Sequence, residues 1–251
     1  MQLKRRTLLS GLAAFQAKQA DADTKWDKET DVLVIGYGGA GACAAIEAHD
    51  NGSKVLIIEK MAQPGGNTAI SSGGFMVPQD GPTALKYLTA TYDLANSEKD
   101  DELLNTFCKE IMGVKDWMTG LKEGTELWVY GHAGFQNLPG WEVIDKYRVR
   151  GKKRSGDCLF DLYRYAVEEK RNIPVMLETP AVQLIQKDGQ VVGAVASNNG
   201  KNINIKVNKA VILTTGGYEF DPESLRTYAQ GENYHALGNP GNTGDGLRMA
   251  Q

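Results

Sequence analysis

A glycine-rich turn between two apolar segments restricts the fold of this chain more than any other feature. Residues 31–35 read Asp-Val-Leu-Val-Ile, a short apolar run typical of a buried strand. The turn Gly36-Tyr-Gly-Gly-Ala-Gly41 follows and leads into an alanine-rich stretch, which predicts a helix ending near Gly52. Residues 54–60, Lys-Val-Leu-Ile-Ile-Glu-Lys, predict a second strand. A strand, a helix and a strand in this order predict a βαβ unit with parallel strands.

The spacing of the glycines in this unit predicts a dinucleotide site. Gly36 allows a tight turn, Gly38 lets the backbone approach a pyrophosphate, and Gly41 lets the helix pack on the strand. The helix N-terminus offers N–H groups and the positive end of the helix dipole to phosphates. Glu59 ends the second strand, where a carboxylate can accept hydrogen bonds from a ribose diol. A turn that only connects two elements is the alternative, and the coincidence of the glycine spacing, the helix N-terminus and the carboxylate at the strand end favours the dinucleotide.

A second glycine-rich segment bears on the choice between NAD and FAD. Residues 64–74, Pro-Gly-Gly-Asn-Thr-Ala-Ile-Ser-Ser-Gly-Gly, directly follow the acidic strand end. Such a segment can lie along a ribityl-pyrophosphate chain with Gly73 and Gly74 close to a flat ring. On physical grounds alone an ordinary polar loop has nearly equal weight. No Tyr-x-x-x-Lys pair of the kind used by NAD-dependent dehydrogenases follows the fold, which favours FAD.

The remaining segments predict the organisation of an α/β protein. Residues 76–154 predict a helical and aromatic insertion, with helices near Thr83–Leu94 and Glu102–Leu121 before an irregular aromatic segment. A helix is expected from Cys158 to Lys170. Alternating segments follow, separated by Asp188-Gly189 and Asn198-Asn199-Gly200, and predict an antiparallel meander before a buried strand over residues 209–217.

The predicted fold class is therefore a Rossmann-like domain that combines a parallel sheet with an antiparallel β-meander and carries a helical insertion. Its first part is expected over residues 31–75 and its second part over residues 155–251, on either side of the insertion.

Composition excludes several classes of function. The net charge of −3 and the absence of a concentrated basic patch argue against a nucleic-acid partner. The three cysteines are far apart and odd in number, and the three histidines lack ligand spacing, so the sequence predicts neither a disulfide framework nor a metal site. No segment after the N-terminus approaches a transmembrane span.

The first 22 residues have the features of an export signal. Lys4, Arg5 and Arg6 precede an apolar run from Leu8 to Phe15 and a small-residue Ala20-x-Ala22. Paired arginines followed by Thr-Leu-Leu predict a twin-arginine signal over residues 1–22 and hence a periplasmic location. An N-terminal tail on a cytoplasmic protein is the alternative.

Four segments in order resemble the FAD-contact segments of the fumarate reductase/succinate dehydrogenase flavoprotein family. They read DVLVIGYGGAGACAAIEA, EK followed by PGGNTAISSGG, AVILTTGGYEFDPE, and NPGNTGDGLRMAQ, and the resemblance extends from Asp31 to Gln251. That family includes soluble flavocytochrome c fumarate reductases, urocanate reductase-like enzymes, tricarballylate dehydrogenases and 3-ketosteroid dehydrogenases. Four motifs in the family's order are much more specific than any one of them.

The resemblance implies a set of FAD contacts in this chain. Ala40 and Gly41 would lie at the pyrophosphate, Glu59 at the adenosine ribose, and Ala181 would make a backbone contact to adenine. The full set that it implies is Gly36, Gly38, Gly39, Ala40, Gly41, Glu59, Lys60, Gly66, Asn67, Thr68, Ser72, Gly73, Gly74, Ala181, Thr215, Gly216 and Asp245.

Within that set, Asn67 and Thr68 would contact the phosphate-ribityl region, with residues 72–74 near the isoalloxazine ring. Thr215 and Asp245 have the alternative role of stabilising turns. Two positions of the chain depart from the family's pattern. Thr214 replaces its usual Ala, and Asn67 stands where the membrane-complex members carry a His bonded to the flavin, so the resemblance implies non-covalent FAD.

The resemblance also implies the chemistry. Members of the family transfer a hydride between the flavin and an activated carbon–carbon double bond, so we expect a small unsaturated acid or an enone as substrate and an electron-donor protein as a possible partner. The family's substrate-binding and proton-delivering residues come from later parts of its chains, so no catalytic residue is assigned here. We expect the C-terminal half of the fold to be absent, and a flavin-binding module without catalysis is the alternative. Tyr130 and His132 either reach the substrate side or, as the residues favour, form a packed aromatic cluster.

Overall fold

A computed structural model describes residues 18–20, 24–229 and 235–251 of the chain. Apart from residues 18–20, the predicted signal segment lies outside the described residues. The strands are β1 (Lys18–Gln19), β2 (Lys28–Ile35), β3 (Val55–Ile58), β4 (Gly74–Pro78), β5 (Leu127–His132), β6 (Ile144–Val149), β7 (Val175–Met176), β8 (Ala181–Lys187), β9 (Gln190–Asn198) and β10 (Lys201–Leu213).

The helices lie mainly between the strands. They are α1 (Gly39–Asp50), α2 (Gly66–Ile70), α3 (Gly81–Ala95), α4 (Asp101–Glu110), α5 (Val114–Gly120), α6 (Ser155–Arg164), α7 (Pro222–Tyr228) and α8 (Asp245–Ala250). Short 3₁₀ segments cover Ile111–Gly113 and Trp141–Val143, and a π-helical turn covers Tyr165–Glu169. Within the part of the chain that the structure describes, no helix combines the length and the apolar character needed to cross a bilayer.

The chain forms two compact units. One contains residues 1–66 and 173–251, and the other contains residues 67–172. The boundaries inferred from the sequence, after residues 75 and 154, stay a prediction for the domains of this protein.

The first unit is built on a seven-stranded mixed sheet in the order β1-β8-β9-β10-β2-β3-β7. Strand β2 pairs in parallel with β3 and β10, and β3 pairs in parallel with β7, as the βαβ pattern predicts. Strands β8, β9 and β10 form the predicted antiparallel meander. The buried core of this unit consists of Leu33, Ile35, Leu56, Ile58, Leu184, Ala194, Ala196, Ile205, Val207 and Met249.

Two tight turns hold the meander together. Asp188 and Gly189 have φ angles of 51° and 77°, and Asn199 and Gly200 have φ angles of 52° and 74°. Both pairs thus have the left-handed backbone that two-residue hairpin turns require, and Asp, Asn and Gly adopt it most readily. These were the turn signals in the sequence, so this part of the fold follows from local chemistry.

Strand β10 corrects one expectation. The sequence predicts the last segment of the meander and residues 209–217 as separate strands, but β10 runs unbroken from Lys201 to Leu213. Its register against β2 shifts between Val207 and Ala210. The exposed Asn208 in this irregularity donates to Glu29 and Asp31, at 3.2 and 3.3 Å. The irregularity therefore lets β10 stay paired with β2 both before and after the polar residues Asn208 and Lys209.

The second unit contains a three-stranded antiparallel sheet in the order β4-β6-β5, together with α3 to α6. The predicted insertion helices are present, but the expected helix over Glu102–Leu121 is interrupted by the 3₁₀ segment at Ile111–Gly113. The aromatic segment predicted as irregular contributes β5. Carboxylates cap α3 and α4, because Thr83 N donates to Asp80 at 2.7 Å and Leu103 N donates to Asp100 at 2.9 Å.

Candidate nucleotide-binding site

The turn between β2 and α1 can be built only with glycine at two positions. Gly36 has a φ of 107°, and a Cβ there would collide with the carbonyl oxygen of Thr214. A Cβ on Gly41 would collide with the carbonyl oxygen of Gly36. Both glycines therefore meet a steric demand of the close approach between the turn, the helix and β10, as the sequence pattern predicts.

The N-terminus of α1 has the chemistry that a phosphate group needs. Its N-cap is Gly38, which has an extended backbone and offers no side-chain cap, and its first turn contains no acidic residue. A Cβ on Gly38 would have no atom closer than the Gly65 carbonyl oxygen at 3.7 Å, so its surroundings leave room for a close approach. Because the helix dipole places positive potential at this end, the residues present fit a pyrophosphate.

Glu59 is held beside this turn by two backbone N–H groups. Tyr37 N donates to Glu59 Oε2 at 2.7 Å, and Met61 N donates to Glu59 Oε1 at 2.8 Å. The side chain is half-buried at the carboxyl end of β3. A carboxylate has about four lone-pair sites, so two remain available to accept from a diol. The geometry fits the ribose-binding role that the sequence assigned.

Thr214, directly after β10, supports the turn. Its Oγ1 lies 2.9 Å from Gly36 O and 3.1 Å from Ile35 O, and its backbone N donates to Ile35 O at 2.9 Å. An alanine, which is usual at this position in the family that the sequence resembles, could not make the side-chain hydrogen bonds. The hydroxyl thus adds a constraint to the glycine turn.

Asp245, at the start of α8, belongs to a charged network. Lys60 Nζ donates to Asp245 Oδ2 at 2.6 Å, and Arg248 donates to Asp245 Oδ1 at 2.7 Å. Lys60 also donates to Thr243 Oγ1 at 2.7 Å, and Arg248 donates to Asp221 Oδ2 at 2.8 Å. The network ties the end of β3 to the loop before α8. Asp245 therefore stabilises this loop, whether or not it also contacts a nucleotide.

Thr215 and Gly216 lie against the same loop. A Cβ on Gly246 would collide with Thr215 Oγ1, so α8 approaches the Thr215 side chain closely. Gly216 has a φ of 74°, and a Cβ there would collide with the side chain of Asn242. Asn242 is buried and donates to Glu219 at 2.6 Å. These contacts bring the segment after β10 together with the loop before α8.

The remaining assigned residues lie in varied surroundings. In the first unit, Ala181 opens β8, pairs with Ala196 and packs partly buried on the core. In the second unit, Asn67, Ser72 and Gly74 are exposed, and the other two assigned residues there, Thr68 and Gly73, are half-buried and buried. Gly73 has a φ of 63°, and a Cβ there would collide with Ser155 O. The FAD contacts of all these residues stay predictions.

Tyr130 and His132 take part in aromatic and charged contacts of the second unit. Tyr130 lies edge-on to Trp128, with ring centroids 6.1 Å apart. His132 Nδ1 lies 3.1 Å from Asp145 Oδ1, and the His132 ring lies edge-on to Trp141 at 5.9 Å. Burial and the neighbouring Asp145 carboxylate, to which its hydroxyl donates, raise the pKa of Tyr147. Tyr130 and His132 thus contact aromatic neighbours, although His132 itself is exposed, and a role of either toward the substrate stays a prediction.

Sequence reasoning missed the residues that support the site from a distance. Arg248 and Asp221 had no role assigned, although they complete the Asp245 network. No local pattern marks them, because their partners come from other segments. Among the described residues, no group of three or more His, Cys, Asp and Glu side chains is placed to hold a metal ion.

Comparison with known proteins decides the family. Residues 31–251 match the FAD binding domain family. This chain belongs to that family. As an FAD binding domain it has FAD as its cofactor, and the match covers both units. The resemblance inferred from the four sequence motifs is therefore confirmed.

Individual relatives of this FAD binding domain are reductases. It is 31% identical over 232 residues to a fumarate reductase (cytochrome) of Shewanella frigidimarina, covering 88% of this chain and 39% of the relative. It is 31% identical over 237 residues to a urocanate reductase of Eggerthella lenta, covering 89% of this chain and 38% of the relative. The chain thus spans about two fifths of the length of these relatives.

A solved structure agrees with the fold of the FAD binding domain. The open conformation of a flavocytochrome c3 fumarate reductase matches with a TM-score of 0.77 and 26% identity, over 90% of this chain and 40% of that chain. The predicted fold class, a parallel sheet with an antiparallel meander and helices, is confirmed.

Proposed function

We propose that this chain is the flavin-binding portion of an FAD-dependent oxidoreductase that acts on the activated C=C bond of a small unsaturated acid or enone. The observation that carries the proposal is the uncapped N-terminus of α1 beside Glu59, in a chain of the FAD binding domain family. The names of the relatives, a fumarate reductase and a urocanate reductase, support reduction of a conjugated acid.

The residues of the first unit have distinct roles in this proposal. The backbone of α1 at Gly38–Gly41 binds the pyrophosphate, and Glu59 orients the adenosine ribose. Lys60 neutralises Asp245 and holds the loop before α8 in place. FAD, when bound, supplies the hydride chemistry. We further propose that its binding is non-covalent, because the amide of Asn67 cannot form the bond that a histidine forms.

A flavin-binding module without catalysis is the second candidate. It is favoured by the set of site residues assigned in this chain, all of which are predicted FAD contacts. An electron-donor protein as partner and twin-arginine export to the periplasm remain part of the first proposal. For the location, a cytoplasmic protein stays the alternative.

The decisive experiment is to purify the full chain under mild conditions and record its visible absorption spectrum before and after acid precipitation. We expect flavin bands, and we expect the colour to pass into the supernatant because the FAD is not covalently bound. Oxidation of a reduced viologen dye with a panel of unsaturated acids and enones then separates the enzyme from the binding module. Flavin bands without turnover would support the module.

Glu59→Gln provides the matched variant for this experiment. It keeps the size of the side chain but removes the charge and turns one acceptor oxygen into a donor that faces a backbone N–H. We expect FAD affinity to fall about tenfold, the equivalent of one lost charged hydrogen bond. Glu29→Gln, on the exposed start of β2, is the control and should leave the affinity unchanged. A folded, colourless wild-type chain that takes up no added FAD would refute the proposal.

A further inference from the structure

One face of the three-stranded sheet in the second unit combines cationic and aromatic side chains. Side chains on a strand alternate between the two faces, and Gly74, Arg148 and Trp128 lie opposite one another on β4, β6 and β5. Asp145, the one acidic residue of these three strands, lies in the alternate register, on the opposite face. We call this surface the Arg148 face, and it consists of Gly74, Met76, Trp128, Tyr130, Lys146 and Arg148.

In the described parts of the chain, Arg148 has no anionic partner. Its guanidinium carbon lies 3.9 Å from the centre of the Tyr130 ring, and its buried Nε has no hydrogen-bond partner among the described residues. The neighbouring arginines differ, since Arg150 pairs with Glu126 at 3.2 Å and Arg154 pairs with Asp157 at 2.8 Å. Arg148 is therefore a half-buried cation whose guanidinium stacks on Tyr130 and whose Nε is unpaired within the described ranges.

Its position is fixed by close packing. Gly74 lies against the Tyr130 hydroxyl, where a Cβ would collide. The Tyr130 ring is thus seated on the β4 backbone, with Arg148 stacked on it and Trp128 edge-on at 6.1 Å. Because the stack already restricts the guanidinium, little conformational entropy remains to be lost when a ligand binds.

We propose that the Arg148 face binds the carboxylate of a small, flat, conjugated acid. Arg148 pairs with the carboxylate through its planar fork, and the aromatic and apolar surroundings of Trp128 and Met76 favour an organic anion over inorganic phosphate. This inference rests on the proposed function for the class of ligand, because a conjugated acid is the substrate class proposed above. It assigns a substrate-binding role to a residue that the FAD contacts do not include.

The test measures binding by the full chain, without FAD and without a reductant, using isothermal titration calorimetry. The probe is trans-cinnamate, with cinnamyl alcohol as its neutral analogue and inorganic phosphate as the simple anion. We expect Arg148→Gln to weaken cinnamate binding at least about tenfold. Arg154→Gln is the matched control, because it removes the same charge from an exposed arginine that already has a carboxylate partner and lies outside the Arg148 face.

The outcomes separate this inference from the proposed function. Cinnamate that binds more tightly than its alcohol and phosphate, with the loss confined to Arg148→Gln, supports the site. No binding, equal binding of phosphate, or equal losses in both variants would overturn it. If Arg148→Gln does not fold by circular dichroism, Arg148→Lys replaces it and should still weaken binding, because lysine keeps the charge but lacks the planar fork. No flavin is needed, so a failure to retain FAD leaves the result interpretable.

Discussion

Thr214 shows how a single hydroxyl can tune the glycine turn. We expect Thr214→Val, which keeps the side-chain shape, to weaken FAD binding, because Gly36 O loses the hydrogen bond of 2.9 Å. One such hydrogen bond is worth about 1 kcal/mol, or roughly a fivefold change in the dissociation constant. The measurement is fluorescence titration of FAD into the chain, with amide hydrogen exchange over Gly38–Ala42 as a second readout.

Thr214→Ser is the control for this variant, because it keeps the hydroxyl and should bind FAD nearly as the wild-type chain does. A general loss of packing would lower the affinity of both variants and speed amide exchange throughout the unit, not only in the turn. The same affinity in Thr214→Val and in the wild-type chain would show that the hydroxyl does not constrain the turn.

At the level of single residues, the sequence predicts the glycines of the site better than the residues that support them. Gly36 and Gly41 are recognisable because their spacing lies within one turn, although the atom that a side chain on Gly36 would meet, Thr214 O, belongs to a distant segment. The hydrogen bond from Thr214 to Gly36 joins residues 178 apart, and the pair of Lys60 and Asp245 joins residues 185 apart. Only the fold brings such partners together, so no local pattern could reveal them.

Among the elements, α7 has a stability that should depend on pH in a defined direction. Asp221 caps it, and the Ser224 hydroxyl, then the N–H groups of Glu223 and Ser224 and the nearby Arg248, hold the pKa of Asp221 below its ordinary value of 3.8, although burial acts in the opposite direction. Because the pKa is lowered in the folded state, this stabilisation is complete above about pH 3.8 and is lost as the pH falls through the folded pKa.

Thermal denaturation of the wild-type chain and Asp221→Asn across pH tests this direction. Asparagine still caps a helix but carries no charge for Arg248, so we expect a lower midpoint at neutral pH, equivalent to about 1 kcal/mol. The difference between the midpoints of the wild-type chain and the variant should narrow as the pH falls below 3.8. Asp188→Asn, in the exposed turn after β8, should show no such gap at neutral pH. A difference between the two midpoints that stays constant into the acid range would contradict a role for the negative charge of Asp221.

The elements also show where sequence patterns are insufficient. Strands β8 and β9 were predicted because Asp188-Gly189 separates two alternating segments. Strands β4 and β6 were missed because Gly74, Pro78 and a row of charged residues obscure their alternation. Their pairing is set by tertiary contact with β5, whose aromatic residues looked irregular in isolation. The Arg148 face was therefore invisible in the sequence.

For the whole molecule, the order of the strands makes the nucleotide site depend on distant parts of the chain. Strand β10 lies between β9 and β2, so it joins the meander to the parallel strands that carry the glycine turn. Residues 1–66 and 173–251 form one compact unit although more than a hundred residues separate them along the chain. The motif at Gly36–Gly41 is therefore necessary for the site but is not expected to be sufficient.

Truncated chains test whether the β2–α1–β3 segment forms the FAD site by itself or needs β10 as well. A chain ending at Gly200 keeps the glycine turn and Glu59 but lacks β10, so β2 loses one of its two neighbours and Gly36 loses its contact with Thr214. We expect this chain to bind no FAD and to lose cooperative thermal unfolding, because a seven-stranded sheet divided at its centre cannot bury the same core.

A chain ending at Gly244 is the comparison, since it keeps all seven strands and loses α8, with Asp245 and the buried Met249. It should fold with a lower thermal midpoint and bind FAD more weakly than the full chain, because Lys60 is left without its carboxylate partner. Circular dichroism and FAD titration on the three chains give the answer. Undiminished FAD affinity in the chain ending at Gly200 would mean that the β2–α1–β3 segment forms the site by itself and that β10 serves only the meander.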